Sequence, residues 1–115
     1  MKTIRYNLFI RLFTDEKCFG PGIAQLLHRV QELHSLRAAA QDMSMAYSKA
    51  WTSVKNSETQ LGCALLRTTT GGKGGGGAVL TEEAEQILQA YDSFCQEMAQ
   101  YGDKLFAEKF AFWEK

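Results

Sequence analysis

Between Met45 and Asn56 the chain places hydrogen-bonding and cationic side chains at a spacing that repeats with the turn of a helix. Plotted at 100° per residue, Met45, Ser48, Lys49, Thr52, Lys55 and Asn56 share one arc, while Ala46, Tyr47, Ala50, Trp51 and Val54 fall within roughly 140° on the opposite side. Hydroxyl, amide and ammonium groups of these lengths suit a DNA groove, the short ones at base edges and the long ones at the bordering phosphates. Ser48, Thr52 and Met45 are therefore expected at bases, with Lys49, Lys55 and Asn56 on the flanks. A solvated helix face has the same composition, so the neighbouring elements must decide between the two.

The residues just before this stretch read as a first helix and a sharp turn. Ser35 is placed to accept a hydrogen bond from an amide one turn on, and Leu36, Ala39, Ala40 and Met43 then share a face. Small residues at 39 and 40 let two helices that cross near a right angle bring their backbones close. Asp42, Met43 and Ser44 make the bend. Ser44 is expected to cap a second helix, running from Met45 to about Ser57, and to lie against DNA. Two short helices separated by a turn spell a helix-turn-helix. Arg37 and Tyr47 each keep two readings. Arg37 faces either phosphate or water; Tyr47 lies on the apolar arc, yet a first-turn tyrosine can direct its hydroxyl to phosphate.

Elements on either side complete the pattern. Ile4, Tyr6, Leu8, Ile10 and Leu12 alternate with Arg5, Asn7, Phe9 and Arg11, which predicts a strand, with Cys18-Phe19 as a brief return. Gly20-Pro21-Gly22 then starts a helix bearing Ile23, Leu26, Leu27, Val30 and Leu33. Cys63 to Thr70 and Ala78 to Leu80 flank Gly71 to Gly77, predicting a β-hairpin, or wing. Its one long loop side chain, Lys73, rides on backbone that imposes little steric limit on approach to phosphate. Gly72 to Gly77 formally satisfies a dinucleotide-binding pattern, but strand-like residues stand where a helix would have to begin.

Thr81-Glu82-Glu83 opens a last long helix. Ala84, Ile87, Leu88, Tyr91, Phe94, Cys95, Met98 and Tyr101 form a stripe longer than a small core can cover, and Ile87, Leu88, Tyr91, Phe94 and Met98 are expected at a dimer interface. Gly102 is expected to interrupt the helix. Leu105, Phe106, Phe110, Phe112 and Trp113 follow as an apolar tail suited to self-association.

Composition bounds the partners. Net charge is zero, yet residues 1–28 carry four basic and two acidic side chains, residues 29–73 six and three, and residues 81–115 three and eight. A basic middle and an acidic tail make a dipolar molecule with one face suited to phosphate. Cys18, Cys63 and Cys95 have neither zinc-site nor redox-pair spacing and are expected reduced. His28 and His34 do not share a helix face, and no nucleophile-base grouping is evident, so no catalytic residue, metal or cofactor is expected. No apolar run reaches the ~18 residues of a membrane span and no leader pattern is present, so a cytoplasmic protein without membrane contact is expected.

Several short motifs, taken in order, resemble the amino-terminal DNA-binding domain of the ModE family, molybdate-responsive transcription regulators with a LysR-like winged helix. They are Gly20-Pro21-Gly22 before Leu26-Leu27, Ser35 before Ala39-Ala40, Met45-Ala46-Tyr47 before Ala50-Trp51 and Val54, and the glycine run 71–77 with Ala78 before Leu80-Thr81. The family usually has Met-Ser-Tyr where this chain has Met45-Ala46-Tyr47. The resemblance implies regulation of molybdenum uptake or cofactor genes. It covers about residues 4 to 95, and sensing members carry further β-rich oxyanion-binding domains; this chain ends soon after the long helix, so molybdate binding by it is not expected.

The fold expected is mainly α with a small β component (α+β): a winged helix-turn-helix over residues 1–80, then a long carboxy-terminal dimerisation helix and aromatic tail over 81–115. The partners expected are double-stranded DNA and a second copy of the chain. The alternative is a winged-helix interaction or dimerisation module without sequence-specific DNA binding, with the aromatic tail as its docking surface.

Overall fold

Pro21 fixes φ at the first position of α1 (Pro21–Leu33), and Ile23, Ala24, Leu26, Leu27 and Val30 then recur on one buried face. The helix stops at His34, which adopts a left-handed conformation with φ of 57°. Ser35 then accepts a hydrogen bond from the Ala38 N–H at 3.0 Å and opens α2 (Leu36–Asp42), as its type predicts. Ala39 and Ala40 are fully buried where α2 meets its neighbours. Arg29 of α1 ties the end of α2 through Asp42 at 2.8 Å. Next comes α3 (Tyr47–Leu61), closed by Gly62 at φ 79°.

These three helices stand between two small antiparallel hairpins, one of β1 (Leu12–Phe13) and β2 (Lys17–Phe19), the other of β3 (Leu66–Thr69) and β4 (Gly77–Leu80). Helix α4 (Glu82–Lys109) and a 3-10 turn at Ala111–Glu114 complete the chain. The computed structural model describes residues 1–69 and 77–114, and the expected wing-tip residue Lys73 lies outside them. The architecture is an α+β winged helix-turn-helix with a long carboxy-terminal helix.

The core joins α1, α2 and α3 to Phe19, Leu65, Leu80 and the first half of α4, with Leu27, Val30 and Phe19 wholly buried. The wing is seated on it: Leu66 pairs with Leu80 and Thr69 with Gly77, while the Ala78 N–H donates to the His34 carbonyl at 2.9 Å. That approach explains Gly77, where a Cβ would lie 2.7 Å from the same carbonyl oxygen. Thr81 caps α4 through the Ala84 N–H and donates its own hydroxyl to the Ala64 carbonyl at 2.7 Å.

Two expectations are corrected at the chain's ends. The strand predicted over Ile4–Leu12 is reduced to Leu12–Phe13. The residues before it run beside α4 instead: the Ile10 carbonyl accepts the Tyr91 hydroxyl at 2.6 Å, Tyr6 donates to Asp103 at 2.7 Å, and the Lys2 carbonyl accepts the Trp113 indole N–H at 2.7 Å. Alternation was legible, but the partner it found is a helix. Gly102 does not interrupt α4; a Cβ there would sit 2.5 Å from the Tyr6 hydroxyl, so the glycine makes room for the docked tyrosine. The aromatic tail is thereby engaged within its own chain, with Tyr6 and Phe106 ring centroids 4.9 Å apart and Phe106 in turn stacked on Phe110.

The three cysteines are free thiols. Among the described residues no helix is long and apolar enough to cross a membrane.

Candidate nucleic-acid interface

Three residues hold α3 in place. Ala50, Val54 and Ser57 face the core at spacings of four and three, and all three are buried. This buried arc is narrower than apolarity alone predicts. Ala46, Tyr47 and Trp51, expected inside, are exposed, Tyr47 at 38% and Trp51 at 48%. They are kept out because small residues already fill the crossing with α2, leaving no volume for a ring.

The helix also starts later than expected. Met45 N–H bonds back to the Ala40 carbonyl at 2.8 Å and Ser44 takes a left-handed φ of 53°, so the turn extends through Ala46. Ser44 therefore caps nothing; Ala46 is the N-cap residue, with no side-chain hydrogen bond. Met45, expected to reach bases, is instead half-buried against the core.

Opposite the buried arc, Ser48, Lys49, Thr52, Lys55 and Asn56 are all exposed. Ser48, Lys49, Thr52, Ser53 and Asn56 line a shallow open depression along the helix. Lys49 makes no ion pair among the described residues. Lys55 differs: its ammonium is 3.2 Å from Glu58 Oε1 and 5.5 Å from the centre of the Trp51 ring. The Arg37 guanidinium lies 4.2 Å from the Tyr47 ring centre, so the two ambiguous residues form one cation-π pair at the head of the helix. Tyr47 and Trp51 thus border the polar face on one edge, and Ser53 borders it on the other.

Sequence reasoning missed Glu58. Its Oε2 accepts the Leu65 N–H at 2.8 Å and lies 3.5 Å from the Leu66 N, so one carboxylate ties α3 to the base of the wing. Burial works to raise its pKa, but the Leu65 amide and the Lys55 ammonium outweigh that and hold it below the ordinary carboxylate value. No short-range signal marks this role, because the amides lie beyond the helix-ending Gly62. Gln60 does similar work on the other side, where its side-chain oxygen accepts the Glu16 N–H at 3.2 Å and its carbonyl accepts the Thr14 hydroxyl at 2.9 Å.

On α4, Leu88 and Tyr91, expected at a dimer interface, are buried in their own subunit; the Tyr91 pKa is pushed up to about 12, chiefly by burial and then by the neighbouring Cys95 thiol. Ile87 is half-buried, while Phe94 and Met98 are exposed. His28 of α1 meets Asp92 of α4 at 2.6 Å, a clasp between the two helices away from the polar face of α3.

With this geometry in place, a comparison with protein families is informative. The model described as bacterial regulatory helix-turn-helix protein, lysR family, matches residues 24–85, more than half of the chain. No curated protein matches the chain.

Proposed function

From the premise that this chain belongs to the lysR family of bacterial regulatory helix-turn-helix proteins, a DNA-binding regulator rather than an enzyme, we propose that it reads a specific operator as a homodimer of the ModE type, acting on molybdenum uptake or cofactor genes. The observation that carries the reading of DNA is the unobstructed polar face of α3, with Ser48, Lys49, Thr52 and Asn56 exposed together. Ser48 and Thr52 would touch base edges, Lys49 and Asn56 the flanks, Arg37 with Tyr47 a phosphate at the helix head, and Lys73 the backbone beside the wing. Lys55 contributes less free charge because Glu58 shares it. The ModE assignment and the target genes rest on the ordered motifs from Gly20 to Thr81.

The dimer proposal has its own support. Phe94, Met98, Tyr101 and Leu105 keep a four-three-four spacing along α4, seven residues on from half-buried Ile87, and all four are exposed. That spacing makes the straight seam along which two helices supercoil. Two copies so joined would present two reading helices to an inverted repeat, with half-sites about one turn of DNA, ~34 Å, or a multiple apart.

Selection of bound sequences from a random DNA pool tests the whole reading. An inverted repeat bound by a dimer is expected. Equal affinity for every sequence would reject specific recognition, and a single asymmetric half-site would reject the dimer.

A further inference from the structure

Withdrawal of Met45 toward the core takes away the long apolar side chain expected at base edges. Two rings remain beside the polar face of α3, and they are not equivalent. The Arg37 guanidinium lies 4.2 Å from the centre of the Tyr47 ring, so one face of that ring is already covered. Trp51 is the more exposed of the two. It stands about 60° round the helix from Ser48, between the polar face and the buried arc.

The neighbours of Trp51 restrain it. The Lys55 ammonium, one turn on, is 5.5 Å from the centre of the indole and is itself held by Glu58 at 3.2 Å. Glu58 is anchored in turn on the Leu65 N–H at 2.8 Å. A ring held in this way by a cation has less rotamer freedom left to lose when a ligand covers it.

Position selects the ligand. Tyr47, Trp51 and Lys55 recur every four residues and form one row along α3, with Arg37 of α2 at its head and Glu58, tied to the base of the wing, at its foot. In the docking proposed above, Arg37 meets a phosphate at one end of the row and the wing meets backbone at the other. The middle of the row is then turned to the wall of the major groove. Among the base edges of that groove, the apolar group is the 5-methyl of thymine. Ser48 and Thr52 can satisfy donors and acceptors; the exposed indole offers a methyl group the apolar area that they do not.

We propose that Trp51 is a specificity-determining residue that packs against the 5-methyl group of one thymine in each half-site. The assignment deepens the operator reading and rests on it.

The test replaces the thymines of the selected operator by deoxyuridine one at a time, which removes the methyl group alone, and measures the affinity of the native chain and of Trp51→Ala by gel shift. At one position per half-site the native chain should lose about fourfold, the worth of one buried methyl group, and Trp51→Ala should lose nothing further. Equal losses in the two chains at every thymine would overturn the assignment. So would a Trp51→Ala variant that weakens all sequences alike, the mark of a backbone contact. Trp51 lies outside the core. Should Trp51→Ala nonetheless fail to fold, the unaltered chain decides: 5-iodouracil at the sensitive thymine should photocross-link to Trp51, and a cross-link to another residue, or none, would overturn the assignment. A native chain that binds every sequence equally would reject the operator and the thymine contact together, whereas a preferred operator with no Trp51-dependent thymine would reject the contact alone.

Discussion

Replacing Glu58 by Gln probes the link between α3 and the wing. In the native chain Oε2 takes the Leu65 N–H at 2.8 Å, with Leu65 itself wholly buried. A hydrogen bond to a charged acceptor contributes about 1.5–3 kcal/mol and a neutral one about 1 kcal/mol. The 3.5 Å contact to Leu66 adds little at that length. The Lys55 pair, one helical turn away with its ammonium half-exposed, adds at most ~0.5 kcal/mol after screening. Glu58→Gln keeps an acceptor and should cost about 1–2 kcal/mol, whereas Glu58→Ala leaves a buried amide unpaired and should cost about 2–3 kcal/mol. Because the native pKa of Glu58 is lowered, its contribution is complete above the unfolded-state value and is lost as pH falls through the native one. Urea unfolding of the native chain and Glu58→Gln, from neutral pH down into the acid range, checks this. The stability gap should close on acidification. A gap that stays constant through the acid range would refute the reasoning, as would a gap near zero at neutral pH.

Other consequences are as direct. Gly77→Ala drives a methyl to 2.7 Å from the His34 carbonyl and should destabilise the chain by roughly 1–3 kcal/mol, read by thermal or urea unfolding. Thr52→Ala should relax preference at one base position, worth ~1–3 kcal/mol of discrimination, while Lys49→Ala should weaken all sites alike and lower the salt slope by about one unit; gel shifts at several ionic strengths separate the two. Trp51 sits 48% exposed beside the polar face, so its fluorescence should change on addition of selected DNA in a Trp113→Phe background; an unchanged spectrum at saturating DNA would place it off the interface. Phe94→Glu with Tyr101→Glu should yield monomers in sedimentation without loss of helix content, because both side chains lie outside the core.

What the sequence disclosed follows from the range of the forces involved. Ser35 and Thr81 were legible as caps because their partners, the Ala38 and Ala84 amides, lie three residues away. The order of helices and hairpins was legible from periodicity and glycine placement for the same reason. Ser44 misled because its cap preference competed with a tight turn, in which the Met45 N–H reaches back to Ala40, and the turn prevailed. Trp51, and the core reading of Tyr47, misled because apolarity reports what a side chain prefers and not what volume remains; the alanines at 39, 40 and 50 had already closed the crossing. Glu58 and the docking of Tyr6 onto α4 involve partners brought together only by the finished fold, so no local pattern could announce them.

Helix α4 shows how those long-range contacts bear on the proposed assembly. At 28 residues it extends well past the core, which it leaves near Tyr91 and Cys95. Its distal half carries apolar side chains in two rows about a quarter of a turn apart. One row continues the core-facing side and receives the amino-terminal segment, with Gly102 and Phe106 meeting Tyr6. The other, Phe94, Met98, Tyr101 and Leu105, stays exposed. Had the first row been bare, either side could have served a partner and the relative orientation of two copies would have been loosely set. With it occupied, only the second row remains for a second copy. The amino-terminal segment would then fix the direction in which two reading helices are presented. Tyr6→Ala should therefore leave the dimer intact yet broaden the half-site spacing tolerated in selected operators. Retention of one strict spacing by that variant would show that the exposed row sets the orientation alone.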